Sequence, residues 1–391
     1  MIRYLTAGES HGEALIGIVD GMPAGIPLAA EDINSQLARR WLGYGRGGRA
    51  KIEEDRIHIL SGVRFGKTIG SPIALRLSNA AYEKDKSGWP RIMAVDGSGE
   101  DVEPVTLPRP GHADLVGVHK YGLDDIRPVI ERASARETAM RVACCSIARV
   151  VLQTLGIEIG SHVIRIGEAA NESWEHGSIL AEESGALALA NAADQSDVRM
   201  LDDGASSAAI EHIGRAKTDG DTLGGTYEVI ATGVPVGLGS YAQWDHRLDG
   251  RLAQAILSIQ GQKAVEIGDG FSSASTRGSR FHDSIVLDES GRFSRDTNRA
   301  GGIEGGISTG KPIVVRGTMK PIPTLIRPLK SVDIRTNEPQ VTRYERSDIT
   351  SVPAASVVAE ATISWVIAEA LLDRFGGDSF DVLQQRVEAE R

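Results

Sequence analysis

Two histidines in glycine-flanked turns are the groups of this chain best suited to moving protons. His11 sits in Gly8-Glu9-Ser10-His11-Gly12, and His112 in Arg109-Pro110-Gly111-His112-Ala113-Asp114. Glycines beside them permit sharp turns and close approach of backbone to a ligand. Imidazole ionises near neutral pH, and a neighbouring phosphate raises its pKa further. Downstream, a helix is expected to open at about Arg132, where Ser134 and Glu137 have capping-box spacing. A helix start has free N–H groups and a positive dipole end, so it suits an anion. Arg132, Arg136 and Arg141 add charge around it. A second basic cluster, Arg39, Arg40, Arg46 and Arg49, runs into the glycine-rich segment from Gly43 to Arg49. That segment reads either as a solvated linker or as a mobile lid bringing guanidinium forks to phosphate or carboxylate. A third such run, Arg299 to Gly310, lets backbone approach a flat ring or a phosphate. Arg346, Ser347 and Asp348 stand just before an apolar helix. Any one histidine, taken alone, is better explained by a structural hydrogen bond. As a set, the groups point to acid–base work on an anionic, phosphorylated substrate.

Composition narrows the classes. Among 391 residues, Lys+Arg number 43 against Asp+Glu 53, and aromatics are 5%. An acidic chain with few rings to stack bases is a poor nucleic-acid binder. Local cationic patches on an acidic protein fit a small anionic substrate better. Cys144 and Cys145, the only cysteines, are adjacent, which argues against a disulfide scaffold and suits a reducing cytoplasm. No apolar run is expected to reach membrane-spanning length, and MIRYLTAGESHGEAL lacks the pattern of a signal peptide. Metal-ligand spacings, a GxSxG elbow, a P-loop and a dinucleotide fingerprint are all missing.

The elements that must position these groups follow from periodicity and punctuation. Strands are expected at Ile2 to Thr6, Leu15 to Val19, Arg56 to Val63 and Ser71 to Leu77, with a helix from Glu31 to Trp41. Residues 80 to 108 read as a polar surface excursion. The helix from Arg132 to about Leu155 becomes apolar all round, which places it centrally. Ile157 to Ile166 is expected as a strand pair or one long strand, with further strands at Thr226 to Val234 and Pro312 to Met319. Further helices are expected at Ser178 to Ala193 and Leu248 to Ile259. Pro353 to Phe375 reads as a long buried helix with proline in its first turn and Gly376 past its end. Gly21-Met22-Pro23-Ala24-Gly25-Ile26 echoes Gly233-Val234-Pro235-Val236-Gly237-Leu238. Likewise Gly70-Ser71-Pro72-Ile73-Ala74-Leu75-Arg76 echoes Gly310-Lys311-Pro312-Ile313-Val314-Val315-Arg316. These echoes suggest a duplicated unit spanning 1–80 and 225–320, with chance similarity as the competing explanation.

Taken in order, several motifs resemble one family. They are the segments around His11 and His112, and Arg132-Ala133-Ser134-Ala135-Arg136-Glu137-Thr138. Val265-Glu266-Ile267-Gly268-Asp269-Gly270-Phe271, Gly301-Gly302-Ile303-Glu304-Gly305-Gly306-Ile307-Ser308, Arg346-Ser347-Asp348 and Val352-Pro353 complete the set. With them the chain resembles chorismate synthases along essentially its whole length. The resemblance implies an α+β fold, a β-α-β sandwich in a single domain over 1–391, assembled as a homotetramer. It implies conversion of 5-enolpyruvylshikimate 3-phosphate to chorismate and phosphate, the last step of the shikimate pathway. It also implies a requirement for reduced FMN although the net reaction is redox-neutral. The chemistry makes sense of that requirement. A 1,4-elimination breaks an allylic C–O bond and a C–H bond that no carbonyl acidifies. A transient source of electron density helps phosphate leave, and phosphate departure needs cations and an acid.

By motif, the resemblance implies that His11 protonates the departing phosphate. It implies that His112 lies against the flavin and holds its protonation state, and that Asp348 assists proton removal. Ser10, Arg40, Arg46, Arg49 and Arg136 fall on the substrate side. FMN contacts are implied for Arg132, Ala133, Ser134, Gln260, Gly261, Gly305, Lys320, Pro321, Ile322, Pro323, Thr324 and Arg346. Departures from the family pattern stand at Gln260-Gly261, Thr309, Pro323 and Thr350-Ser351. No metal is implied. A membrane or nucleic-acid partner is not expected, and a cytoplasmic location is. Electrons for the flavin come either from NADPH on this chain or from a separate flavin reductase, and the missing dinucleotide fingerprint favours the latter. A binding protein that has lost turnover is the rival class, and retention of both histidines and Asp348 argues against it.

Overall fold

The computed structural model describes residues 2–45, 55–84, 87–171, 176–342 and 348–390. Along the chain run β1 (Arg3–Ala7), β2 (Ala14–Asp20), α1 (Ala30–Trp41), β3 (Ile57–Ile59) and β4 (Ile73–Ser78). Then come α2 (Asp114–Tyr121), α3 (Arg127–Arg132) and α4 (Glu137–Thr154). Next follow β5 (Glu158–Ile166), β6 (Gly225–Thr232), α5 (Leu248–Leu257), β7 (Gln262–Ile267), β8 (Ile313–Met319) and α6 (Val352–Phe375). The fold is α+β. Two antiparallel sheets enclose a layer of helices, and one apolar core extends from Ile2 through the helices to Val387.

The two sheets share one topology. The first has the order β1-β2-β4-β3, and the second β5-β6-β8-β7, extended at the β5 edge by Ala169–Ala170. Each second strand leads through its Gly-x-Pro-x-Gly turn to a helix, α1 or α5, and each last strand follows a small hairpin. The turn and hairpin are wired alike. Thr68 Oγ1 accepts from Ile26 N at 2.9 Å and donates to Pro23 O at 2.7 Å. Ser308 Oγ accepts from Leu238 N at 2.8 Å and donates to Pro235 O at 2.6 Å. In the second half the link between β5 and β6 is long. Its helices His176–Ser184 and Ala186–Asp194 cover that sheet's outer face.

The inner faces are read from strand parity. In β2, Leu15 and Val19 are buried while Ile18 is exposed. Gly17 shares their inward face. A Cβ at Gly17 would come within 2.5 Å of Cys144 Sγ and 2.6 Å of Met140 Sδ on α4. The glycine lets α4 lie close on the sheet, and α4 carries part of the cavity described below. Gly17→Ala is therefore expected to lower unfolding stability by about 1–3 kcal/mol through overpacking. Urea denaturation checks this, and an unchanged midpoint would contradict the packing argument.

Four charged side chains lie inside the helix layer. Glu360 on α6 accepts from Arg39 of α1 at 2.6 and 2.9 Å, from Arg149 of α4 at 2.8 Å and from Arg199 at 3.1 Å. Asp194 is a second partner of Arg39 and Arg199. Burial opposes ionisation of Glu360, but the guanidiniums of Arg39 and Arg149 outweigh it and hold the carboxyl well below its usual range.

Several expectations are corrected. The central helix starts at Glu137, not at Arg132: α3 ends at Arg132 and a tight turn separates the two. The capping box is not formed. Ser134 Oγ accepts from Arg136 N at 3.2 Å, and Glu137 turns to Thr6, Gln260 and Arg141. The helix expected over Ser178 to Ala193 is two helices, broken at Gly185 with φ 88°. The helix Asp203–Asp219 and strand β7 were not expected, nor was α2 after the His112 turn. Finally, α6 is apolar and long enough to cross a membrane, contrary to the expectation that no run reaches that length, and 89% of its most apolar window is buried inside the fold. Gly43–Gly45 of the expected lid are described, and Arg46 to Arg49 lie outside the described residues.

Candidate active site

A cavity of about 600 Å³ opens where the ends of both halves meet. The first half contributes the β1–β2 turn with Ser10 and His11, the end of α1 with Arg40 and Trp41, and the turn into α4 with Ala133 to Arg136. The second half contributes Ile259 to Gly261 after α5, Met319 at the end of β8 with Lys320 to Thr324 after it, and Asp348, Ser351 and Ala354 around the start of α6. The Arg109–Ala113 turn supplies His112.

Both histidines turn Nδ1 onto a buried carboxylate. His11 Nδ1 lies 2.9 Å from Glu131 Oε2, which also accepts the His11 backbone N–H at 2.9 Å. His112 Nδ1 bonds Asp114, whose oxygens also accept from Arg109 Nε at 2.8 Å and Nη2 at 3.1 Å. Both carboxylate side chains are 0% exposed. Burial opposes their ionisation. Hydrogen bonds from His11 to Glu131, and from His112 and Arg109 to Asp114, outweigh it and hold both carboxyls below the usual range. With Nδ1 engaged, Nε2 is the nitrogen left to each histidine for the cavity. The His11 ring is stacked on Trp89, centroids 3.8 Å apart at 10°.

The cationic wall is built on Asp55. Arg136 Nη1 donates to Asp55 Oδ1 at 2.5 Å and Nε to Asn79 Oδ1 at 3.1 Å. Arg40 reaches the other Asp55 oxygen at 3.6 Å and is braced by Thr138 Oγ1 at 3.1 Å and Ala135 O at 3.0 Å. Two buried guanidiniums thus meet on one carboxylate, which sets them side by side at the cavity wall.

The other wall is built from loops of the second half and the Gly111 turn. Lys320 donates Nζ to Gly111 O, and burial with nearby Lys263 lowers its pKa. A Cβ at Gly111, where φ is 80°, would stand 3.4 Å from Pro323 Cβ. At Gly261, with φ 82°, a Cβ would meet Met319 Cε at 3.2 Å. Gln260 donates Nε2 to Glu137 at 3.0 Å, while its buried Oε1 has no partner among the described residues. An orphan acceptor beside two glycine-lined loops fits a planar ring that brings N–H donors.

The structure therefore gathers His11, His112 and Asp348 around one cavity, with Ser10, Arg40 and Arg136. Ala133, Ser134, Gln260, Gly261 and Lys320 to Thr324 line it as well. It does not bring Arg132 or Gly305 into the lining. Arg132 is exposed and donates to Gly8 O at 3.1 Å and Thr6 O at 2.8 Å, while Gly305 lies exposed in the hairpin turn Ile303–Ser308. Arg46, Arg49 and Arg346 fall outside the described residues. Sequence reasoning missed Asp55, Glu131, Trp89 and Trp41. Glu131, a lone acid between arginines, and Trp89, a ring in a polar run, were the available signals.

The family model of chorismate synthase matches residues 2–372. The chorismate synthase of Salinibacter ruber is 61% identical, with 100% of this chain and 99% of that protein covered. That of Chlorobium chlorochromatii is 56% identical, covering 100% of this chain and 97% of that protein. A crystal structure of a chorismate synthase superposes with a TM-score of 0.79 at 41% identity, over 99% of this chain and 96% of that one. The chain belongs to the chorismate synthase family, whose members are lyases forming chorismate in the shikimate pathway.

Proposed function

We propose that this cavity binds reduced FMN and 5-enolpyruvylshikimate 3-phosphate together and carries out the 1,4-elimination that yields chorismate and phosphate. The observation that carries the reading is the convergence of two carboxylate-held histidines and a paired-arginine wall on one cavity. Arg40 and Arg136 bind the phosphorylated substrate, with Arg46 and Arg49 as further cations on that side. They hold charge as the C–O bond to phosphate breaks. His11 gives the proton at Nε2 to the departing phosphate, and Asp348, on α6's side, receives the proton lost from carbon. Gln260, Gly261 and Lys320 to Thr324 hold the flavin, with Ala133 and Ser134 at its edge and His112 facing its ring. When bound, reduced FMN supplies transient electron density to the allylic system. Arg132, Gly305 and Arg346 remain assigned to FMN by motif alone.

The protein works as a homotetramer in the cytoplasm on this reading. Leu5 and Ile18 on the open face of the first sheet, 69% and 44% exposed, are surfaces such an assembly would cover. The whole chain acts as one domain made of two related halves, and the matched wiring of their turns supports this. Electrons reach FMN from a separate reductase. Titrating FMN by its absorbance tests the binding half of the proposal: affinity should rise when the phosphorylated substrate is present. No FMN binding under either condition would refute it. NADPH oxidation by protein plus FMN alone would overturn the assignment of an external reductant.

A further inference from the structure

The His11 side of the cavity contains more machinery than the elimination itself names. Glu131 meets His11 twice, at the ring Nδ1 and at the backbone N–H, both at 2.9 Å. Ser10 N also donates to the Glu131 carbonyl at 3.1 Å, so the whole turn hangs on this residue. Arg127, one turn earlier on α3, donates to the other carboxylate oxygen at 3.3 Å. It also lies 5.6 Å from the centroid of Trp89, whose ring is stacked on His11. The four groups form a closed set: a cation, a buried anion, an imidazole and a covering indole.

Resting on the reading of His11 as the proton donor, we propose that Glu131 is a positioning residue. Its carboxylate fixes the His11 ring with Nδ1–H inward, which turns Nε2 toward the cavity. Three arguments carry this. A carboxylate accepts only, so the Nδ1 it faces must carry the hydrogen. A buried charge next to imidazole favours imidazolium, as an opposite charge does whenever water is excluded. Arg127 withdraws part of the Glu131 charge from His11, so the two residues pull the histidine in opposite directions. Other charged groups line the same cavity, namely Arg40, Arg109, Arg136, His112, Lys320 and Asp348.

The opposition gives a test that a merely structural role would fail. Glu131→Gln keeps the shape and removes the charge. It should lower kcat by about 10- to 100-fold, taking as a guide the range seen when the partner behind a metal-ligating histidine is changed, with KM nearly unaltered. An acid must be protonated to act, so the basic limb of the pH profile should move to lower pH. Arg127→Met, at a part-exposed site, leaves Glu131 wholly to His11 and should move the same limb to higher pH. The His11 ring, followed by nitrogen NMR without substrate, should show Nδ1–H in the wild type. Its pKa should move the same opposite ways in the two variants. An unchanged profile in Glu131→Gln, or shifts of one sign in both variants, would overturn the proposal. If Glu131→Gln fails to fold, an Arg127→Met profile that is unmoved or moves down overturns it alone. The NMR titration needs no turnover, so a wild type that forms no chorismate would sink the elimination and leave this inference still measurable.

Discussion

Replacing His11 by alanine is expected to lower kcat for phosphate elimination by about 10²–10⁴-fold, the usual contribution of a positioned general acid, while FMN binding stays intact. The expectation rests on placement. His11 sits in the β1–β2 turn, held by Glu131 on α3, whereas the glycine-lined wall proposed to hold the flavin is built from segments after α5 and β8 in the other half of the chain. Cutting the ring back to a methyl leaves that wall untouched. Steady-state kinetics beside an FMN absorbance titration separates the two effects. Wild-type turnover in His11→Ala would remove His11 from the reaction. Loss of FMN affinity would place it on the cofactor side.

Glu360→Leu is expected to cost about 3–5 kcal/mol of unfolding stability, the range for removing one partner of a buried ion pair. The carboxylate is 1% exposed and is the common acceptor for Arg39, Arg149 and Arg199. Without it three cations remain in the helix layer with Asp194 as the nearest countercharge to two of them. The loss should also reach the cavity, because Arg39 precedes Arg40 on the last turn of α1. By comparison, Asp20→Ala removes the exposed partner of Arg3 and should change stability by no more than about 0.5 kcal/mol. Urea denaturation of both variants makes the comparison. A Glu360→Leu protein as stable as Asp20→Ala would mean that the network contributes nothing net.

Much of this was legible in the chain because local rules and tertiary structure agree there. Pro353 and Gly376 bound α6 as their backbone preferences require, and the repeated Gly-x-Pro-x-Gly turns mark equivalent corners of the two sheets. The start of α4 was misread because Ser134 and Glu137 have partners available that a local motif ignores: Glu137 bonds Thr6 and Gln260, distant in sequence. The same holds for the site. His11 and His112 stand out by type and turn context. Glu131, Asp55 and Trp89 matter only through contacts that the fold creates, Glu131 over 120 positions and Asp55 over 81. Strand β7 was missed because its Gln262, Lys263 and Glu266 break any simple alternation, and Glu266 is drawn to Arg316 on the neighbouring strand.

The central claim is that this cavity performs a flavin-dependent elimination, and an anaerobic turnover assay tests it most directly. Purified protein, chemically reduced FMN and 5-enolpyruvylshikimate 3-phosphate are mixed, and chorismate and phosphate are followed together. Equal amounts of both, formed with reduced and not with oxidised FMN, are the predicted result. Substrate and flavin that bind but leave the substrate unchanged would contradict it.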